Sequence, residues 1–319
     1  MFVGIIYSTT AYAQACCSGG VPLGGSLGLG AADSKSMQVL FTYDYNAIND
    51  LVHISNRLDD DTRSRTTQSG IVELNYGINQ RFSITTVLPF IRQTRSINTY
   101  DDSKDFIAVQ GLGDAVFLVK YRLVSPDILR PFQWVIGAGP KFPTGKTDFT
   151  NLQGFALAAD MQPGSGSFDG LAWSYMQRDR LLSPNLGISS VAVYRYSGTN
   201  NNYNEVQTYR FGNEFQLSLG LNYDLFVGLP VTMFLFTRYR HQTADLIDGN
   251  VFPSSGGQWI YAIPGLNIQF LNGLSLRLSS EWPIYRALVG TQLTTGVKFS
   301  AALSVTFPSR ENKILVQKH

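Results

Sequence analysis

Residues 209 to 225 read YRFGNEFQLSLGLNYDL and alternate with a period of two. Tyr209, Phe211, Phe215, Leu217, Leu219, Leu221 and Tyr223 share one face, while Arg210, Gly212, Glu214, Gln216, Ser218, Gly220 and Asn222 share the other. Successive side chains leave a strand on opposite sides, so the pattern specifies a strand and excludes a helix. A run of about 15 residues is two to three times the usual strand of a soluble sheet. Fourteen steps from Tyr209 to Tyr223 at about 3.3 Å, tilted by about 45°, cover roughly 33 Å along a bilayer normal, enough to cross an apolar band of about 25 Å.

The same alternation recurs from residue 36 to residue 307 and divides into about twelve strands. Connectors mostly alternate between long and short. NTYDDSKDFIAVQ (98 to 110) reads as a long loop, Asn272-Gly273 as a tight hairpin, and LTTGVKFSAALSVTF (293 to 307) as the last strand. Sorting turns by length onto two ends has no purpose in a soluble sandwich, but it is the habit of an outer-membrane barrel, with short periplasmic turns and long outer loops. In hydrocarbon every backbone N–H and C=O must be paired internally, so strands can cross only as a closed cylinder. The expected fold is therefore all-β, a transmembrane up-and-down antiparallel β-barrel of about twelve strands.

Composition agrees where it is informative. The charged fraction is 15% beside 13% aromatic, with 30 Gly and 16 Tyr, which favours strands and turns. No window reaches the ~20 apolar residues of a spanning helix. A formal charge of +2, with its Lys and Arg dispersed, argues against a nucleic-acid partner. Four segments are expected: a signal peptide over 1–13, ending in Ala11-Tyr12-Ala13 with Ala15 as a second cut; a Gly-rich stretch over 14–35; the barrel over 36–307; and a periplasmic tail over 308–319. The export signal lacks a basic start, so its beginning is expected upstream. Cys16 and Cys17 are adjacent; a tether, a vicinal disulfide, lipidation and soft-metal binding all remain open for them, although two thiols without His rarely complete a metal site.

Parity assigns the two faces. Tyr43, Tyr45, Tyr209, Phe211, Tyr223 and Tyr239 are expected as a lipid-facing aromatic girdle. Glu73, Lys120, Arg122, Lys141, Arg195, Arg210, Glu214, Arg238, Arg240, Arg277, Glu281 and Lys298 are expected to line the lumen. Cations outnumber carboxylates in that set, which reads either as a constriction favouring anionic or polar solutes or as salt bridges that satisfy buried charge. Phe234 and Phe236 fall on the same side, so part of the bore is expected to be apolar. Partners are then outer-membrane lipid and a small-molecule solute, with no cofactor and no metal.

Several junctions carry a further signal. YGINQRFSITTVLPF (76 to 90), GLGDAVFLVKYRL (111 to 123), GPKFPTGK (139 to 146) and QPGSGSFDG (162 to 170) resemble an outer-membrane family named for the MetA pathway of phenol degradation. The resemblance implies an outer-membrane channel or transporter for aromatic or hydrophobic compounds. Two other function classes are kept in view: a scaffold that anchors partners, and a lipid hydrolase. The hydrolase would need an imidazole and a hydroxyl in reach; His53 lies in a loop, His319 is the last residue, and His241 ends a strand two positions before Thr243. Asp59, Asp60 and Asp61 read as a solvated loop.

Overall fold

A computed structural model describes residues 30–98, 104–127 and 129–308. The expected signal peptide, Cys16, Cys17, His319 and the tail beyond Pro308 lie outside the described residues. In chain order the strands are β1 (Met37–Ile48), β2 (Asp50–His53), β3 (Asn56–Leu58), β4 (Arg63–Gly77), β5 (Phe82–Asn98), β6 (Lys104–Leu112), β7 (Ala115–Val124), β8 (Phe132–Phe142), β9 (Asp169–Arg178) and β10 (Leu186–Tyr196). They continue with β11 (Asn200–Tyr203), β12 (Gln207–Arg210), β13 (Glu214–Phe226), β14 (Pro230–Gln242), β15 (Leu246–Ile247), β16 (Asn250–Val251), β17 (Gly257–Leu271), β18 (Leu274–Leu288), β19 (Thr291–Thr294) and β20 (Val297–Phe307).

The wall closes because β1 pairs with β4 on one side and with β20 on the other, Met37 standing opposite both Tyr76 and Phe307. All wall pairings are antiparallel, and apart from the closing pair of β1 with β20 they join consecutive wall strands. β6 and β7 both pair with β5, end to end, so they make one stave and the cylinder has twelve. Closure pairs the staves of the wall on both sides, while β6, which prolongs the β5 hairpin beyond it, pairs with β5 alone. The outward face is apolar and exposed, with Phe41, Tyr43, Leu219, Leu221, Leu235, Phe299 and Leu303 among its residues. Tyr45 and Tyr239 take the same face half-buried, Tyr223 is exposed there, and the Tyr239 ring meets Phe215 at 6.5 Å.

Three expectations are corrected. The strand read over 209 to 225 begins only at Glu214. Gly212 passes so close to the Thr243 carbonyl that no Cβ would fit, and its N–H donates to Asp245 Oδ1 at 2.7 Å, which turns the chain inward. Tyr209 and Phe211 are consequently 2% and 3% exposed, packed with Ala159 beneath a small loop sheet of β11, β12, β15 and β16, and do not belong to the outer girdle. Arg210 is carried out of the lumen by the same turn: its Nε donates to the Ser197 carbonyl at 2.9 Å and its guanidinium lies 5.0 Å from the Tyr196 ring.

The other two concern strand ends. Much of the loop expected over 98 to 110 is strand, since β6 extends the hairpin of β5 outward to the pair Asn98 and Lys104. The last wall strand starts at Val297, four residues later than expected. Leu293 belongs instead to β19, which pairs with β2 and buries Leu293 against Ile48 and Leu51.

Candidate functional site

Inward positions divide the bore into two halves of different chemistry. Toward the long-loop end the wall carries a network of charges in opposite-sign contact. Lys141 Nζ donates to Asp114 Oδ2 at 2.7 Å and sits 3.0 Å from Asp169 Oδ2, with all three side chains at most 2% exposed. Asp169 in turn faces Arg195 Nε at 4.0 Å, and Arg195 Nη2 reaches Glu214 Oε2 at 3.2 Å. Arg240 Nε donates to the other oxygen of Glu214 at 2.8 Å while its guanidinium stacks 4.8 Å from the Trp259 ring. Burying ions is tolerable only with partners this close.

The loop from Pro143 to Phe168 folds over this network and is tied into it. Asp114 accepts from the backbone N–H of Ser165 and of Gly145, both at 3.0 Å, and from Ser165 Oγ at 2.6 Å. Farther along the loop Asp160 meets Arg65 Nη1 at 2.6 Å, and Met161 and Leu157 pack on Val109. Beside them Asp245 accepts from the Tyr209 hydroxyl at 2.6 Å. Burial pushes the Asp245 carboxyl above its ordinary value, and those two donors, Tyr209 and Gly212, only partly offset it.

Toward the short-turn end the bore opens into a cavity of about 530 Å³. Its polar wall includes Gln216, Ser218, Asn222, Asn267 and Ser279, and its apolar wall Leu40, Val191, Val193, Phe234, Phe236 and Ile263. Phe234 and Phe236 lie flat because each ring covers a glycine on the neighbouring strand, Gly265 and Gly220 respectively. Arg238 enters the cavity already committed to Glu281 at 2.7 Å. Arg277 lies 4.2 Å from the Phe234 ring and 5.7 Å from Phe236. On the opposite side of the bore, Ile71, Val87, Val116, Leu118, Val135, Leu171, Trp173 and Val193 form an apolar fill.

The residues expected to line the lumen therefore fall into distinct groups. Lys141, Arg195, Glu214 and Arg240 meet in the network; Arg238, Glu281 and Arg277 face the cavity; Lys298 pairs with Asp44 at 2.7 Å. Lys120 stands 4.3 Å over the Trp173 ring with Glu73 as its electrostatic neighbour, both fully buried. Lys120 Nζ also donates to the Gly30 carbonyl at 3.4 Å, and Arg122 Nη2 donates to that of Ala31 at 2.9 Å, so the segment ahead of β1 runs into the bore. The expected excess of cations is smaller than parity gave, because Asp44, Asp114 and Asp169, overlooked from the sequence, face Lys298, Lys141 and Arg195. Parity would have found Asp44 between Tyr43 and Tyr45, whereas Asp114 and Asp169 stand at strand starts, where Asp reads as a turn residue.

The hydrolase pairing is not assembled. Thr243 Oγ1 accepts from the Asn213 N–H at 2.9 Å, and His241 occupies an outward position of β14 opposite Phe215. His53 Nδ1 meets Thr291 Oγ1 at 2.8 Å in an exposed loop pair. Asp60 caps its own turn through Thr62 N–H at 3.0 Å.

Residues 38–300 match the family described as "Putative MetA-pathway of phenol degradation". The chain belongs to this family. The fold of this MetA-pathway family member is similar to that of the COG4313 outer membrane channel from Pseudomonas putida F1, at 12% identity and a TM-score of 0.70, covering 87% of this chain and 97% of that one. A weaker likeness links it to the β domain of the Bordetella autotransporter BrkA, at 13% identity and a TM-score of 0.49, covering 86% and 100%. No curated protein matches it. The closed barrel and its apolar exterior place the family member in the bacterial outer membrane.

Proposed function

We propose that the protein is an outer-membrane channel for small solutes, a conduit and not an enzyme. In this reading the short-turn cavity faces the periplasm, the folded loops face outward, and the exposed apolar girdle contacts lipid. One observation carries it: the bore is divided between an open cavity of about 530 Å³ and a stopper of hydrogen-bonded charges. An inert scaffold has no need of a hollow, and twelve staves enclose more space than their side chains must fill. A charge network is also a separable stopper, because water can replace each of its contacts when the loops lift. The apolar half of the cavity and the phenol-degradation description of the chain's own family support solutes with an aromatic or hydrophobic body.

The experiment is reconstitution of the purified full chain in planar bilayers and in liposomes. Discrete current steps and solute-dependent swelling are expected. A folded barrel that passes no current and no solute under any gradient would overturn the reading in favour of a scaffold.

A further inference from the structure

Among the inward cations of the described wall, Arg277 stands apart. Lys141, Arg195, Arg238, Arg240 and Lys298 each have a carboxylate within 4.0 Å, whereas the guanidinium of Arg277 meets only the faces of Phe234 and Phe236. It is exposed and lines the cavity together with Arg238, whose own partner is Glu281. Stacking on a ring fixes the guanidinium plane and leaves its N–H edge free, the geometry that takes a carboxylate through two parallel hydrogen bonds. The same cavity is lined by Phe236 and Ile263, which pack with Phe234 into an apolar patch. A volume of about 530 Å³ is within the range of small-ligand pockets.

We propose that this cavity is a binding site for a small monocarboxylate with an apolar, ring-sized body, its carboxylate on Arg277 and its body against Phe236 and Ile263. The inference deepens the channel reading by giving the solute a charge and a place to dwell. Arg277 rests on Phe234, and Phe234 is held flat by Gly265, so the anchor is positioned before any ligand arrives. The ligand would supply the carboxylate that Arg277 lacks in the cavity.

The test measures binding to the detergent-solubilised full chain by calorimetry, with no gradient and no transport, so that it can fail while conduction stands. Benzoate is expected to bind, and benzyl alcohol and acetate, lacking the charge or the ring, to bind at least about tenfold more weakly. Arg277→Gln should cost benzoate about tenfold or more, Arg277→Lys less, and neither should alter the thermal unfolding of the barrel beyond what the loss of its two cation–π contacts allows. If benzoate and benzyl alcohol bind alike, or if Arg277→Gln leaves benzoate affinity unchanged in a folded barrel, the assignment is wrong. Should the variant not fold, the comparison of benzoate with benzyl alcohol on the wild-type chain decides alone.

Discussion

Replacing Glu214 by Gln tests whether the charge network is the stopper. The carboxylate is 1% exposed and is shared by Arg195 at 3.2 Å and Arg240 at 2.8 Å. Stripping a buried partner from an ion pair typically costs about 3–5 kcal/mol, because a charge is left without compensation. The lower end applies, since Arg195 keeps Asp169 at 4.0 Å and Arg240 keeps Gln242 at 2.8 Å and the face of Trp259. That loss falls on the closed arrangement alone, as an opened bore lets water solvate the guanidinium groups. About 3 kcal/mol lowers the closed-to-open ratio by roughly a hundredfold. In planar bilayers the variant should therefore show longer or more frequent openings than the wild type at the same voltage. Glu214→Gln combined with Arg240→Gln restores the balance of charge and should recover much of the closure. Unchanged open probability in Glu214→Gln, with the folded barrel demonstrated by its heat-modifiable migration, would refute the reasoning.

The remaining expectations concern the wall and the loops. Leu219→Lys, at mid-height on the outward face of β13 and half exposed, should destabilise refolding into vesicles by about 2–4 kcal/mol; a cost near zero in urea titration would mean that this face does not meet lipid. A Cβ at Gly265 would enter the Phe234 ring and lie 2.5 Å from the Leu278 carbonyl, so Gly265→Ala should cost about 1–3 kcal/mol in the same titration and lower benzoate affinity as Arg277 loses its support. Arg65→Met leaves Asp160 buried without its cation, and hydrogen exchange of residues 157–165 should rise at least tenfold while the exchange of β13 stays as it was. Because burial raises the Asp245 carboxyl, the stability it lends the loop sheet is fully present below the ordinary carboxylate range and is lost as pH rises through the raised value. Exchange of β12 and β15, corrected for intrinsic rates, should accordingly increase from acidic toward neutral pH, and in Asp245→Asn it should not.

What alternation can reveal is the wall, because lipid on one side and a lumen on the other impose a period of two on every stave. It located the outward face of β13 and placed Phe234, Phe236, Arg238 and Arg277 inside together. It is blind to where a stave ends. Tyr209 and Phe211 continue the period of β13, yet one close approach of Gly212 to Thr243 turns both into the loop core, and no local pattern marks that contact 31 residues away. Pairing is equally hidden: Glu214 finds Arg240 across a hairpin, and Lys141 finds Asp114 on one neighbouring stave and Asp169 on the other. Each of these partners is fixed by register, and register follows from the turns, which the sequence shows only as polar and glycine-rich connectors. The separate character of Arg277 follows from the same fact. It becomes visible only by subtraction, after Asp44, Asp114, Asp169, Glu214 and Glu281 have been matched to their cations, since a lone charge in a sequence looks like any other until the carboxylates around it are accounted for.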